Sequence, residues 1–360
     1  MEPEDHLLLL CTRQDFQDSH RSAVLDLLHI YSIRWELVYS TALYQGVLPL
    51  VYVNLCQGLG DDAAIPPRIT RILTNSVSRY VVFEEKKAKA IRDLLQYLNS
   101  RSLRSMLVKG AALNLQVYQC PWYTESKDAD LVIYNRRSEL ADDLLWEISS
   151  LAHTLKGFEI EVDFFKHHDI TMNGILPVDF ERIWRDALEL EYGGQRVGVM
   201  SPEDTLISLC INCCRKRYLR LKSLCDITEA INHLPELNWE KFITKARDYD
   251  CNIIAYTALA ITNLTVGCEV PPSVLESLGL NKMRRALIDH SLATFFIPRL
   301  SFTRLPASDK KVFGRALNLS MILPYISFRG IQAVRRINHV IESRDPEKWQ
   351  RGFWIYPAKG

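Results

Sequence analysis

The 360 residues carry 44 Lys and Arg against 43 Asp and Glu, a net charge of +1, with 48% hydrophobic and 24% charged side chains. That balance excludes a disordered chain and leaves no overall basic excess for generic nucleic-acid binding, so any basic partner site must be a local patch. The length can bury a substantial core and suits two or three domains.

The opening "MEPEDHLLLLCTRQD" sets acids before a very short apolar run, where a signal peptide needs a basic leader and a longer core. No apolar stretch approaches the roughly 20 residues of a membrane helix. Nine scattered cysteines fit reduced thiols. The expectation is a cytoplasmic protein without a membrane partner.

From about Ser22 to Asn99 apolar residues recur at three and four, which predicts helices punctuated by Gly46 and Pro49. A long amphipathic segment runs from about Ile69 to Leu98. Its charges, Glu84, Glu85, Lys86, Lys87, Lys89 and Arg92, are expected on a solvated face with some i,i+4 pairing. The period changes at "SMLVKGAALNLQVY", read as a strand ending at Val108, a turn at Lys109 and Gly110, and a helix through Tyr118.

"ESKDADLVIY" reads as a second strand. Extended backbone alternates faces, so Asp128, Asp130 and Val132 point one way and Ala129, Leu131 and Ile133 point into the core. A helix is expected around Leu140 to Leu155. "GFEIEVDFF" then alternates again, with Phe158, Ile160, Val162 and Phe164 opposite Glu159, Glu161 and Asp163. "SPEDTLISLCINCCRKR" opens a helix with Ser201 at the N-cap, Pro202 in the first turn and Asp204 at the reciprocal position. Helical periodicity dominates from there on, with no internal repeat.

The predicted architecture is α+β. An N-terminal helical region over 1–100 and a C-terminal helical domain over 201–360 flank a small mixed-sheet α/β core over 101–200.

Two like charges side by side on one strand face cost energy unless something positive joins them. With a third carboxylate, Asp163 or Glu161, from a neighbouring strand, the hard oxygen donors suit Mg²⁺, or Mn²⁺ in its place. Such ions can activate a hydroxyl, neutralise a phosphate and stabilise a leaving pyrophosphate. Upstream, the Lys109–Gly110 turn leads from a strand into a helix, so backbone N–H groups face whatever lies beside the sheet.

At these residues the sequence resembles the nucleotidyltransferase superfamily of DNA polymerase beta. It is more similar to a bacterial branch of uncharacterised nucleotidyltransferase-like proteins, whose pattern is Lys-Gly-small-small-Leu, a gap, then Asp-hydrophobic-Asp-Leu. Those positions here are Lys109, Gly110, Ala111, Ala112 and Leu113, then Asp128, Ala129, Asp130 and Leu131. "WELVYSTALYQGVLPLVY", "DFERIW", "VMSPEDTLISLC", "LRLKSLCDITEAI" and "LNWEKFITKARDYD" extend the resemblance over most of Trp35 to Asp250.

The resemblance implies a nucleotidyltransferase core and a metal-dependent transfer of NMP from an NTP, ATP for example, to a hydroxyl, with release of pyrophosphate. The acceptor stays open: a protein side chain, an RNA 3′ end, a sugar or another small molecule, with no sequence-specific DNA binding expected. Asp128, Asp130 and Asp163 become the catalytic metal ligands, with Glu161 the alternative third acid. Lys109, Gly110, Ala111, Ala112 and Ser126 lie on the nucleotide side. Three positions depart from the pattern: Gly-Ala replaces Gly-Ser or Gly-Gly, Thr124 stands where an arginine is usual, and Phe165 where a histidine is usual. A nucleotide- or RNA-binding module on a decayed catalytic fold, and a toxin-like enzyme of a toxin–antitoxin pair, are the competing readings.

Other motifs have plainer explanations. "RKRYLRLK" packs Arg215, Lys216, Arg217, Arg220 and Lys222 near a helix end, where cations are favourable. Lys216 or Lys222 could also clamp a triphosphate, Lys222 being the better placed, with Asp226 to orient it. In "CINCC", Cys210 and Cys213 continue an apolar face with Leu206 and Leu209 and are expected in the core. His167 and His168 of "KHHD" belong to a loop or strand beside the site. Trp349, Phe353 and Trp354 near the end are expected to dock on the helical domain.

Overall fold

The computed structural model describes residues 2–303 except 61–64, 124–125, 127, 135–143, 145–146, 149–158 and 173. Thr124, almost all of the helix expected around Leu140 to Leu155, and the C-terminal aromatic segment lie outside the described residues.

Five strands form one sheet: β1 (Ser105–Val108), β2 (Asp128–Ile133), β3 (Glu159–Phe164), β4 (Leu188–Tyr192) and β5 (Gln195–Val199), in the order β3-β2-β1-β5-β4. β2 lies antiparallel to β1 and parallel to β3, while β5 lies parallel to β1 and antiparallel to β4, so the sheet is mixed as expected. The β4–β5 hairpin is absent from the sequence reading, although "LELEYGGQRVGV" carries its signal. Gly193 and Gly194 both have positive φ, 56° and 81°, as a two-residue hairpin loop demands.

The two faces of the sheet go to different cores. Leu107, Ala129, Leu131, Ile133, Ile160, Val197 and Val199 pack with Ile91, Leu94, Leu95 and Leu98 of the 34-residue helix Pro67–Ser100. Met106, Val108 and Val132 on the other face join a larger cluster that also holds Leu7, Leu50 and Leu73 from the N-terminal helices and Leu206, Leu224 and Leu259 from the C-terminal ones. Residues from all three predicted segments thus share one apolar cluster.

The long helix departs from expectation in its middle. Glu85, Lys86, Lys89 and Arg92 are exposed, but Glu84 and Lys87 are buried, 2.7 Å apart, and Lys87 also donates to the Ser126 carbonyl at 2.7 Å. Periodicity places a charge on a face; it cannot show that the chain leading into β2 crosses that face. Burial raises the Glu84 carboxyl and lowers the Lys87 ammonium from their ordinary values, each opposed by the other's charge.

The cap predicted at Ser201 is present. Its hydroxyl accepts from the Asp204 N–H and donates to the Asp204 carboxylate at 2.8 Å, opening the helix Pro202–Arg215. All nine cysteines are free, with Cys210 and Cys213 buried in the core. At the other end Asp5 of the first helix accepts from the Phe302 and Thr303 N–H groups at 2.9 and 3.0 Å and from the Ser301 hydroxyl at 2.8 Å. No helix among the described residues is long and apolar enough to cross a membrane.

Candidate functional site

A cleft of about 530 Å³ opens where β2 and β3 face the helices Pro202–Arg215 and Leu221–His233. Asp128, Asp130 and Glu161 line its floor. Lys109 and Gly110 stand beside them, and Arg215, Lys216, Arg220 and Lys222 form the opposite wall.

Strand register decides which acids meet. In the parallel β2–β3 pair Asp130 lies opposite Glu161, and Val132 lies opposite Asp163. The structure therefore brings Glu161 to Asp130, and not Asp163, the acid expected first. Asp163 sits two residues further along the strand, where its carboxylate meets His168 Nδ1 at 3.1 Å and the His168 N–H at 3.4 Å, and it does not line the cleft. The alternation placed both acids on one face correctly; only register, which no single strand reveals, could choose between them.

Asp130 is buried and closely held. Its Oδ1 accepts from Lys109 Nζ at 2.7 Å and lies 3.1 Å from His167 Nε2. The Asp169 N–H donates to His167 Nδ1 at 3.1 Å, which places the imidazole proton on Nε2, directed at Asp130. Burial works against the Asp130 charge, but the His167 and Lys109 hydrogen bonds prevail and hold the carboxyl below its usual value. Burial and the neighbouring Asp130 charge push Glu161 the other way, above the usual carboxylate range.

Lys109 also bonds Asp169 at 2.7 Å, and Asp169 pairs with Arg215 as well. Burial opposes ionisation of Asp169, yet those two cations bring its carboxyl down to about 2. Burial likewise opposes the Lys109 charge, and Asp130 and Asp169 overcome it to keep the ammonium above its ordinary value. Sequence reasoning missed Asp169. Its sequence signal is the acid that closes "KHHD", five residues past the end of β3, and the loop carrying it turns back to the cleft through Phe165 at φ 65°.

Gly110 serves a purpose that the sequence did not suggest. A Cβ there would fall 2.5 Å from Ser126 Oγ and 2.7 Å from Ser126 Cβ, so glycine makes room for a serine. The buried Ser126 hydroxyl donates to the Asp128 carbonyl at 2.6 Å and lies 3.4 Å from Asp128 Oδ1. A hydroxyl thus reaches the glycine turn from another segment, although Ala111 stands where the usual pattern can have serine. Ala111 and Ala112 themselves are buried in the apolar cluster and do not line the cleft.

On the cationic wall, Lys222 is committed to Asp226 at 2.6 Å, and Asp226 also accepts from the Tyr118 hydroxyl at 2.8 Å. The pairing of Lys222 with Asp226 that the sequence suggested is therefore present. Lys216 and Arg220, which line the same cleft, make no ion pair with any described carboxylate.

Carboxylate and ring-nitrogen atoms of Asp130, Glu161 and His167 lie within 4.8 Å of one another, as do those of Asp163, His167 and His168. In the first group the two carboxylates are hard oxygen donors facing the cleft, and His167 turns an N–H toward Asp130. The oxygen donors fit Mg²⁺ or Mn²⁺, with His167 as the group that orients a ligand.

A mixed sheet with paired strand-borne carboxylates beside a glycine turn is the arrangement of a nucleotidyltransferase core. The match to family models agrees: residues 31–267 fit the family described as uncharacterised nucleotidyltransferase, and the chain belongs to that family. The crystal structure of an antigenic nucleotidyltransferase-like protein from Paracoccidioides brasiliensis aligns with 54% of this chain and 93% of its own at 21% identity, with a TM-score of 0.34. Among curated proteins none matches the chain.

Proposed function

We propose that the protein transfers a nucleoside monophosphate from an NTP to a hydroxyl acceptor with the help of a divalent cation. The observation that carries this reading is the register that sets Glu161 beside Asp130 at the floor of a cleft whose far wall holds Lys216 and Arg220, which have no carboxylate partner among the described residues. Asp130 and Glu161, with Asp128 beside them on the cleft floor, would hold Mg²⁺ or Mn²⁺, which when bound would supply positive charge to the phosphates and acidify a hydroxyl.

The chain's own groups do the rest. Lys216 and Arg220 bind the β- and γ-phosphates as charge clamps. His167 holds Asp130 in one orientation, and Ser126 fixes Asp128 through its carbonyl. The acceptor oxygen attacks the α-phosphorus in line, the bond from the α-phosphorus to the bridging oxygen breaks, and pyrophosphate leaves. Glu161 takes the hydroxyl proton. The acceptor is a protein side chain, an RNA 3′ end or a small molecule, and the NTP is the only partner that the cleft chemistry specifies.

The test is pyrophosphate release from each of the four labelled NTPs with Mg²⁺ or Mn²⁺, against a panel of protein, RNA and small-molecule acceptors. Release that is lost in Asp130→Asn and Glu161→Gln is the expected result. Tight NTP binding with no release on any acceptor would replace the enzyme with a nucleotide-binding module, and release untouched by Asp130→Asn would overturn the site.

A further inference from the structure

Lys109 sits where a cation belongs. Its ammonium is 2.7 Å from Asp130 Oδ1 and 2.7 Å from Asp169 Oδ2, and its side chain is 24% exposed to the cleft while that of Asp130 is 2% exposed. We infer that Lys109 is an exchangeable internal cation, which neutralises Asp130 in the ligand-free protein and yields that place to a divalent ion while it swings to the incoming phosphates. This rests on the metal-site reading above and adds to it a coupling: cation and nucleotide each bind more tightly once the other is present, because the first to arrive has to displace Lys109.

The two partners of Lys109 differ in what they keep when it leaves. Asp169 retains Arg215. Among the described hydrogen-bond donors Asp130 retains the His167 N–H, and a buried carboxylate stripped of its countercharge is strongly disfavoured. Departure of the lysine is therefore tied to arrival of another positive charge at Asp130, and not to any need of Asp169.

The backbone supports a poised side chain. Lys109 has φ 55°, a left-handed conformation that residues with a Cβ rarely adopt, at the junction of β1 and the helix Lys109–Gln116. That conformation is maintained at a residue with two ion pairs in the cleft. Gly110 follows directly, with Ser126 packed against it, so the ammonium can move by rotating its four-carbon stem while the turn stays fixed.

The probe is Mn²⁺, with binding read by electron paramagnetic resonance in the full chain without nucleotide. Lys109→Met is expected to bind Mn²⁺ at least 10-fold more tightly than the wild type, and a non-hydrolysable NTP analogue is expected to tighten Mn²⁺ binding less in the variant than in the wild type. Equal or weaker Mn²⁺ binding by Lys109→Met overturns the exchange.

A second measurement needs no variant. Amine acylation followed by mass spectrometry in the wild type should show Lys109 reacting at least fivefold faster at saturating Mn²⁺, with the exposed Lys86 and Lys89 unchanged. An unchanged Lys109 rate overturns the exchange even if Lys109→Met does not fold. The metal-site reading fails separately, and the exchange with it, if Asp130→Asn leaves Mn²⁺ affinity as it was.

Discussion

Gly110→Ala turns the glycine argument into a sign that can be measured. In an open helical position, alanine in place of glycine stabilises by up to about 1 kcal/mol. Here the added methyl would stand 2.5 Å from Ser126 Oγ, and Ser126 cannot simply retreat, because its carbonyl is held by the buried Lys87 at 2.7 Å and its hydroxyl by the Asp128 carbonyl at 2.6 Å. Overpacking of this kind costs about 1–3 kcal/mol. The net expectation is a loss of about 1–2 kcal/mol in urea unfolding.

Ser126→Gly removes both atoms that the methyl would meet, at the expense of a hydrogen bond worth about 1 kcal/mol. In that background Gly110→Ala should become stabilising, giving a coupling of about 1–3 kcal/mol in the double-mutant cycle. Gly110→Ala stabilising the wild type, or the two changes adding to within about 0.5 kcal/mol, would refute the steric reasoning and return Gly110 to a role in phosphate approach alone.

Two further outcomes are expected. Burial pushes Glu229 up to about 7 from 4.5, against the lowering effect of the Gln14 N–H, with His233 Nε2 3.2 Å away; a carboxyl raised on folding gives stability that is complete below pH 4.5 and lost as pH rises to 7, here up to about 3 kcal/mol, so Glu229→Gln should match the wild type near pH 4 and exceed it at pH 8 in urea titrations, and a wild-type profile flat between pH 4.5 and 7 would contradict this. Lys216→Ala and Arg220→Ala should each weaken binding of a non-hydrolysable NTP about 10- to 100-fold by calorimetry, since a hydrogen bond to a charged group contributes about 1.5–3 kcal/mol, whereas Lys222→Met should act mainly on stability through loss of the ion pair to the buried Asp226; a larger affinity loss at Lys222 would reverse the assignment.

The parts of the site that could be read from sequence are those set by local geometry. Alternation along β2 separates Asp128 and Asp130 from Ala129, Leu131 and Ile133, and the structure keeps that separation, with the acids toward the cleft and the apolar residues in the core against the long helix. The strand-to-helix turn at Lys109 is equally local. What escaped depends on pairing between distant segments. The choice of Glu161 over Asp163 needs the β2–β3 register, the burial of Glu84 and Lys87 needs the path of the chain at Ser126, and the return of Asp169 to Lys109 needs a loop conformation. The β4–β5 hairpin is a different case: its glycine pair is a local signal that the periodicity reading passed over.

Asp5 fastens the first helix to residues 301–303, so the two ends of the described chain meet at one spot on the body. A short peptide bridging Glu2 to Thr303 would close the described fold into a ring in which new ends could be opened elsewhere, such as at the Gly193–Gly194 turn.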